Sequence, residues 1–214
     1  MKTRVIDLFC GAGGFSTGAT AVTNVELVLA VDNDTAYGRA ALARHAVHHP
    51  NATHLALELG PKTEIRLVKA IAKSLGAKDR RYSGHVHLHG SPPCQDFSVA
   101  NMTKKSTDDR NALSRWFVCF AKRLGKTIHA HGALFTASME NVVQCRSYVN
   151  EKNVETLAAN EFGCGTDRRR LFWALHWTFA ALKNIFPNLI RTCSPTCWDR
   201  LPLTAIRRRS TTDS

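Results

Sequence analysis

The stretch Gly-Ser-Pro-Pro-Cys-Gln-Asp-Phe-Ser, residues 90–98, places a single thiol directly behind two prolines. Paired prolines fix their own φ and hold the residue before each of them extended, so Cys94 is presented on a stiff turn. A cysteine that only fills a core needs no such framing, whereas a nucleophile does. A second reactive group, Glu140, closes a later apolar run in Met-Glu-Asn-Val, residues 139–142. A thiolate adds to an electron-poor carbon, and a carboxylic acid close by donates the proton that activates that carbon. The competing reading of Glu140 is a surface carboxylate at a strand end, with Asn141 beside it holding the turn.

Residues 7–18, Asp-Leu-Phe-Cys-Gly-Ala-Gly-Gly-Phe-Ser-Thr-Gly, set Gly11, Gly13 and Gly14 between an apolar run and a helical pattern. A turn there lets backbone approach a ligand. The spacing is close to a phosphate-binding GxGxxG without matching it, and glycine turns of this kind also serve packing alone. Asp32 closes the next apolar run, where a carboxylate accepts from both hydroxyls of a ribose. Together they point to a nucleoside-containing cofactor. Arg168, Arg169 and Arg170 open a late strand, and alternation sends Arg168 and Arg170 to one face. Two guanidiniums on that side grip a base carbonyl or a phosphate, and a solvated charge run is the competing reading. Cys193 and Cys197 have zinc-like spacing, but no second pair follows, so no metal site is expected.

These residues need a scaffold. The chain has 214 residues, 44% hydrophobic and 21% charged, which fits one soluble globular domain. Seven scattered cysteines argue for a reducing compartment, and no run is long enough to span a membrane. An intracellular protein, cytoplasmic or nucleoid-associated, is expected. A formal net charge of +12 favours a polyanionic partner, nucleic acid above all, although part of it sits in the basic tail around residues 207–209.

Strand-length apolar runs alternate with helical patterns, the mark of an α/β fold with a largely parallel sheet flanked by helices. Strands are expected at Thr3 to Phe9, Val25 to Val31, Thr53 to Leu57, Gly84 to Gly90, Gly132 to Val142 and Arg168 to Trp177. Helices are expected around Ser16 to Val22, Thr35 to Ala46, Lys62 to Gly76, along the segment that follows a polar loop near Asp109, and over Val154 to Gly163. In the third of these, Ile65, Val68, Ile71 and Ala72 are read as the buried face. A further helix is expected to reach Ile190. In open sheets of this kind ligands gather beyond the carboxyl ends of the strands, so Asp7 to Gly14, Asp32 to Asp34, Pro93 with Cys94, and Glu140 with Asn141 should share one rim.

Taken in order, the segments 7–18, Val-Asp-Asn-Asp (31–34), 90–98, Met-Glu-Asn-Val and Gly-Cys-Gly-Thr-Asp-Arg-Arg-Arg-Leu-Phe (163–172) resemble the cytosine-5 DNA methyltransferase family. The resemblance spans Asp7 to Phe172. It implies a Rossmann-like fold that binds S-adenosylmethionine, and methyl transfer to carbon 5 of a cytosine flipped out of duplex DNA, in a restriction-modification setting or a regulatory one. Cys94 matches the thiolate that adds to carbon 6, Glu140 the acid at ring nitrogen 3, and Arg168 with Arg170 the basic pair that orients base and loop. Phe9 matches the aromatic against the adenine, and Gly11, Ala12 and Gly14 match the loop around the methionine portion. Asp32, with Asn33 beside it, matches the ribose site, and Pro93 the backbone contact beside the cofactor. Glu58 is the nearest candidate for the acidic contact to the adenine amino group.

The chain also departs from that pattern. Thr166 stands where the family has glutamine, and proline is absent from residues 163–165. Residues 1–176 are read as the catalytic core and 177–214 as a helix and basic tail, without the target-recognition region or final motifs of a full-length member. Three alternatives to a self-sufficient enzyme follow: a catalytic subunit whose second chain recognises DNA, an inactive truncated copy that only binds, and a tRNA cytosine-5 methyltransferase, which shares the Pro-Pro-Cys-Gln loop.

Overall fold

The computed structural model describes residues 1–76, 84–93, 109–147, 149 and 151–176. Cys94 and the rest of its loop, the expected helix to Ile190, Cys193, Cys197 and the basic tail lie outside the described residues.

The apolar runs become strands of one sheet. In chain order the elements are β1 (Thr3–Leu8), α1 (Gly14–Thr20), β2 (Val25–Asp32), α2 (Ala36–His48), β3 (Thr53–Ala56), α3 (Glu64–Ser74), β4 (His85–Gly90), α4 (Asp109–Ala130), β5 (Leu134–Asn141), β6 (Val154–Ala158) and β7 (Arg169–Leu175), with short 3-10 turns between some of them. The seven strands run in the order β3-β2-β1-β4-β5-β7-β6. The first five are parallel, and β7 is antiparallel to both β5 and β6. Central parallel strands are buried on both faces, which is why β1 and β2 are rich in apolar residues on both, with Val5, Ile6 and Leu8 in one and Leu27, Leu29, Ala30 and Val31 in the other buried. The chain starts at the centre, moves outward to β3 and returns to β4, so the order reverses between β1 and β4. The connections that leave those two strands pass to opposite faces of the sheet, α1 to one and α4 to the other, and in folds of this kind a crevice opens there.

One face of the sheet packs on α3 and α4 through Ile6, Leu8, Leu88, Phe117, Phe120 and Leu67. The other carries a smaller cluster of Val5, Leu27, Ala30 and Leu42 beneath α1 and α2. A fully buried side chain such as Phe117 contributes about 1.5–3 kcal/mol. Helix α2 starts where the Thr35 hydroxyl accepts from the Gly38 amide at 3.1 Å, satisfying one of the donors left open by the first turn.

Two expectations are corrected. Val154 to Gly163 is not a helix: residues 154–158 pair with β7 as an edge strand, and a single 3-10 turn, Ala159–Phe162, ends at Gly163 with φ of 81°. The helix formers in this segment are outweighed by ladder bonds to β7, a tertiary effect that local propensity does not see. In α3 the buried residues are Leu67 and Ile71, with Leu75 following, while Ile65 is 74% and Val68 40% exposed. The i, i+4, i+8 row of Leu67, Ile71 and Leu75 lies on the sheet, and the row of Ile65, Val68 and Ala72 is turned away from it.

Candidate active site

The rim residues sit where strands stop. Asp32 ends β2, and its carboxylate is tied on both oxygens: the Gly11 amide donates to Oδ2 at 2.6 Å and the Asn33 amide to Oδ1 at 2.7 Å. These two bonds fasten the glycine turn to the second strand and leave further lone pairs on each oxygen for ligand hydroxyls. Gly11 has φ of 51° and Gly13 of 88°. A Cβ on Gly13 would lie 2.3 Å from Cδ2 of the buried His45, so this position needs glycine for space as well as for φ. Phe9 also has a positive φ, 57°, and its ring meets Trp116 edge-on at 6.4 Å. A bulky residue held in that region marks strain that the surrounding packing must hold.

Beside Asp32 opens a cavity of about 660 Å³, lined among others by Phe9, Asp32, Asn33, Glu58, Ser91 and Pro93. It joins an aromatic ring, carboxylates and a proline edge, a combination that suits a nucleoside with a charged tail. Gly11 reaches it through Asp32, whereas Ala12 and Gly14 are exposed and do not line it. The Asn33 side chain is partly committed elsewhere: its Oδ1 accepts from the amide and the hydroxyl of Thr35.

Glu140, the penultimate residue of β5, lies on the same rim. Its Oε1 receives Arg170 Nε at 2.7 Å, with both side chains about a quarter exposed. Burial raises the Glu140 carboxyl above its usual range, while the Arg168 charge and a hydrogen bond from Ser91 pull it the other way. Arg168 and Arg170 share a face, as alternation predicts, and line an apolar hollow with Leu157, Phe162 and Phe172. Thr166 Oγ1 accepts from the Arg168 amide at 3.3 Å, so the residue that replaces the family glutamine supports the arginine turn through the backbone.

Two further contacts bind this arrangement together. Asn141 is buried, and its Nδ2 donates to the Pro92 carbonyl and to Ser114 Oγ, each at 3.2 Å, while its Oδ1 accepts from Val142. The end of β5 is thus anchored to the Pro92-Pro93 step that precedes Cys94, and to α4. Ser91 lines the cavity and is close enough to Glu140 to help hold its carboxyl down, so it stands between the two halves of the site. The described residues hold no cluster of His, Cys, Asp or Glu that could bind a metal ion.

A model of C-5 cytosine-specific DNA methylases matches residues 3–160. The chain belongs to this family. The Type II methyltransferase M.AgeI of Thalassovita gelatinovora is 30% identical over 185 residues, a match that takes in 80% of this chain and 38% of that protein. Among solved structures, a human methyltransferase 10 domain containing protein superposes with a TM-score of 0.47 at 13% identity, over 84% of this chain and 73% of that one. The METTL16 MTase domain gives 0.47 at 15% identity, over 84% and 60%. The family match takes in every described site residue from Phe9 to Glu140 and stops short of Arg168 and Arg170, which the fold brings to Glu140.

Reading a methylase sequence by motif passes over Ser91 and the bonding role of Asn141. Ser91 lies inside the Gly-Ser-Pro-Pro-Cys stretch, so position was its only signal. Asn141 was visible, but its bonds to Pro92 and Ser114 span 49 and 27 residues, which no local pattern encodes.

Proposed function

We propose that the chain transfers a methyl group from S-adenosylmethionine to carbon 5 of cytosine in DNA through a covalent adduct of Cys94. When bound, S-adenosylmethionine supplies an electrophilic methyl. Phe9, Asp32, Glu58 and Pro93 line the cavity that would hold it, with Asp32 offering lone pairs to the ribose. The Cys94 thiolate forms a bond to carbon 6 as the Glu140 carboxyl gives its proton to ring nitrogen 3. Carbon 5 then takes the methyl. Loss of the carbon-5 proton to solvent water restores the 5,6 double bond and expels the thiolate, and nitrogen 3 returns its proton to Glu140. Arg170 orients the carboxyl, and Arg168 adds positive charge where base or phosphate would sit.

The observation that carries this reading is Glu140, half-buried with a raised pKa and paired with Arg170, beside a cofactor-sized cavity lined by Ser91 and Pro93, the second of which precedes Cys94. A carboxyl that keeps its proton closer to neutrality is suited to general-acid work.

The test is transfer of labelled methyl from S-adenosylmethionine to mixed-sequence DNA and, separately, to tRNA, with Cys94→Ala alongside. The expected result is label on DNA that disappears in Cys94→Ala, while S-adenosylmethionine binding survives, since the thiol acts on the base. Activity retained by Cys94→Ala would overturn the covalent step, and label confined to tRNA would overturn the choice of polymer. Because the chain spans 38% of the length of M.AgeI, a second reading has target recognition supplied by a second chain. Cofactor binding without transfer to either substrate by the purified chain favours it.

A further inference from the structure

The hollow beside Arg168 and Arg170 is separate from the cofactor cavity, and the reaction proposed above leaves it unused. Its volume is about 350 Å³, and Leu157, Phe162 and Phe172 line it with the two arginines. The surface it offers is apolar, so the arginines border it with their carbon stems. Two pairings fix where it opens. Phe172 stands opposite Glu140, and Arg170 opposite Leu157. Residues directly opposite share a face of the sheet, with Cβ atoms about 5 Å apart, and alternation puts Arg170 on the face of Phe172. Glu140, Phe172, Arg170 and Leu157 therefore lie on one face, and the hollow begins one side chain away from the carboxyl. Arg170 joins the two, since its Nε meets Glu140 Oε1 at 2.7 Å. The turn Ala159–Phe162, at the carboxyl end of β6, brings in a ring that is 39% exposed.

We propose that this hollow holds a second base of the substrate, the neighbour of the target cytosine on the same strand, packed against Phe162 and Phe172. This rests on the reading of Glu140 as the residue that meets the cytosine. Charge, size and position choose the occupant. Arg168 and Arg170 border the hollow on a chain with a formal net charge of +12, which draws a polyanion. The volume suits a base with part of its sugar and excludes a helix. Its place beside Glu140 is where the next base of the same strand arrives once the cytosine ring is on the carboxyl.

The lining also sets the manner of recognition. A hollow without polar surface cannot read the hydrogen-bonding edge of a base, so it holds the ring by its faces and accepts any base. In an intact duplex this neighbour would have to leave its own stack as well, at a further cost in unpairing. The hollow thus favours cytosines whose neighbour is already unpaired, in single strands, bulges or mismatches.

The probe is a thymine single strand that carries one cytosine, with an abasic sugar on its 5′ side, on its 3′ side or on neither. Only the cytosine takes methyl, so KM reports complexes in which it occupies the site. One of the two abasic positions should raise KM about tenfold in the parent, as expected for the loss of one stacked base. Most of that effect should be gone in Phe162→Ala, which has already lost the contact, and Phe162→Trp should keep it. Equal KM values for the three strands would overturn the proposal and leave the hollow to an apolar side chain of a partner protein. A Phe162→Ala variant as sensitive to the abasic sugar as the parent would overturn it too. If the parent transfers no methyl, the reaction proposed above fails, and binding decides the hollow by itself. By fluorescence anisotropy the parent should then hold the thymine strand about tenfold tighter than a wholly abasic strand of the same length, with the difference shrinking in Phe162→Ala. Equal affinities for the two strands would remove the base from the hollow.

Discussion

Asp32 has two tasks that a graded pair of substitutions can weigh. Its carboxylate holds the Gly11 and Asn33 amides, and by the proposal it also holds the ribose. Asp32→Ala removes both and should weaken S-adenosylmethionine binding about tenfold or more, since charge-assisted bonds contribute roughly 1.5–3 kcal/mol each. Asp32→Asn keeps one acceptor oxygen and should fall between. Titration calorimetry gives both values, and an Asp32→Ala variant that bound as tightly as the parent would remove Asp32 from the cofactor site. Gly13→Ala isolates the turn itself. The added methyl meets the His45 ring and demands a left-handed φ from alanine, so a loss of about 2–3 kcal/mol in urea unfolding is expected. Unchanged stability would mean that His45 moves aside freely.

Elements place these residues, and Asn141 shows how. Its two donated bonds join the end of β5 to the Pro92 carbonyl and to Ser114 on α4. Asn141→Ala leaves a buried carbonyl and hydroxyl short of a partner, a cost of about 1–3 kcal/mol each. It should also lower methyl transfer more than cofactor binding, because it frees the step into Cys94 and not the Asp32 side of the cavity. Equal losses in both would argue that it supports the sheet alone. The parallel core strands were legible in the sequence, because apolar-rich runs of strand length alternate with helical patterns, and the positions of Asp32 and Glu140 near the ends of such runs follow from that. The β6 segment was not. Glu155, Leu157 and Ala158 are compatible with a helix, and only the pairing of Val154–Ala158 with Arg169–Trp173 decides. The buried row of α3 failed for a related reason: two apolar rows compete on that helix, and the sheet it packs against selects Leu67 and Ile71. The histidines of β4 were visible as an alternation, but the hydroxyls they bond, on Thr136 and Ser138, lie about fifty residues away on the neighbouring strand.

At the scale of the whole molecule, buried titratable groups set the response to pH. Burial lowers His45 and His87 to about 4, with neighbouring histidines adding to the effect, and puts His89 well below its usual value. Burial raises Asp7 to about 7, against the bond from Ser16 at 2.5 Å. The signs oppose. Between pH 6.5 and about 4 the unfolded chain binds protons at histidines that the folded protein keeps neutral, so stability falls as pH falls. From its ordinary pKa near 3.8 up to about 7, the folded protein holds a proton on Asp7 that the unfolded chain has lost, so that contribution is lost as pH rises. Three histidines outweigh one aspartate, and acidification below pH 6.5 should destabilise the parent. Asp7→Asn deletes only the opposing part. The variant should come within about 1 kcal/mol of the parent near pH 4, where Asp7 is neutral in the folded protein and about half ionised in the unfolded chain, and exceed it above pH 7 by up to about 4 kcal/mol, the free-energy equivalent of that shift. Urea unfolding of both proteins at pH 4, 6 and 8 checks the sign. An Asp7→Asn variant less stable than the parent at pH 8 would mean that the ionised carboxylate is held by donors that outweigh its burial.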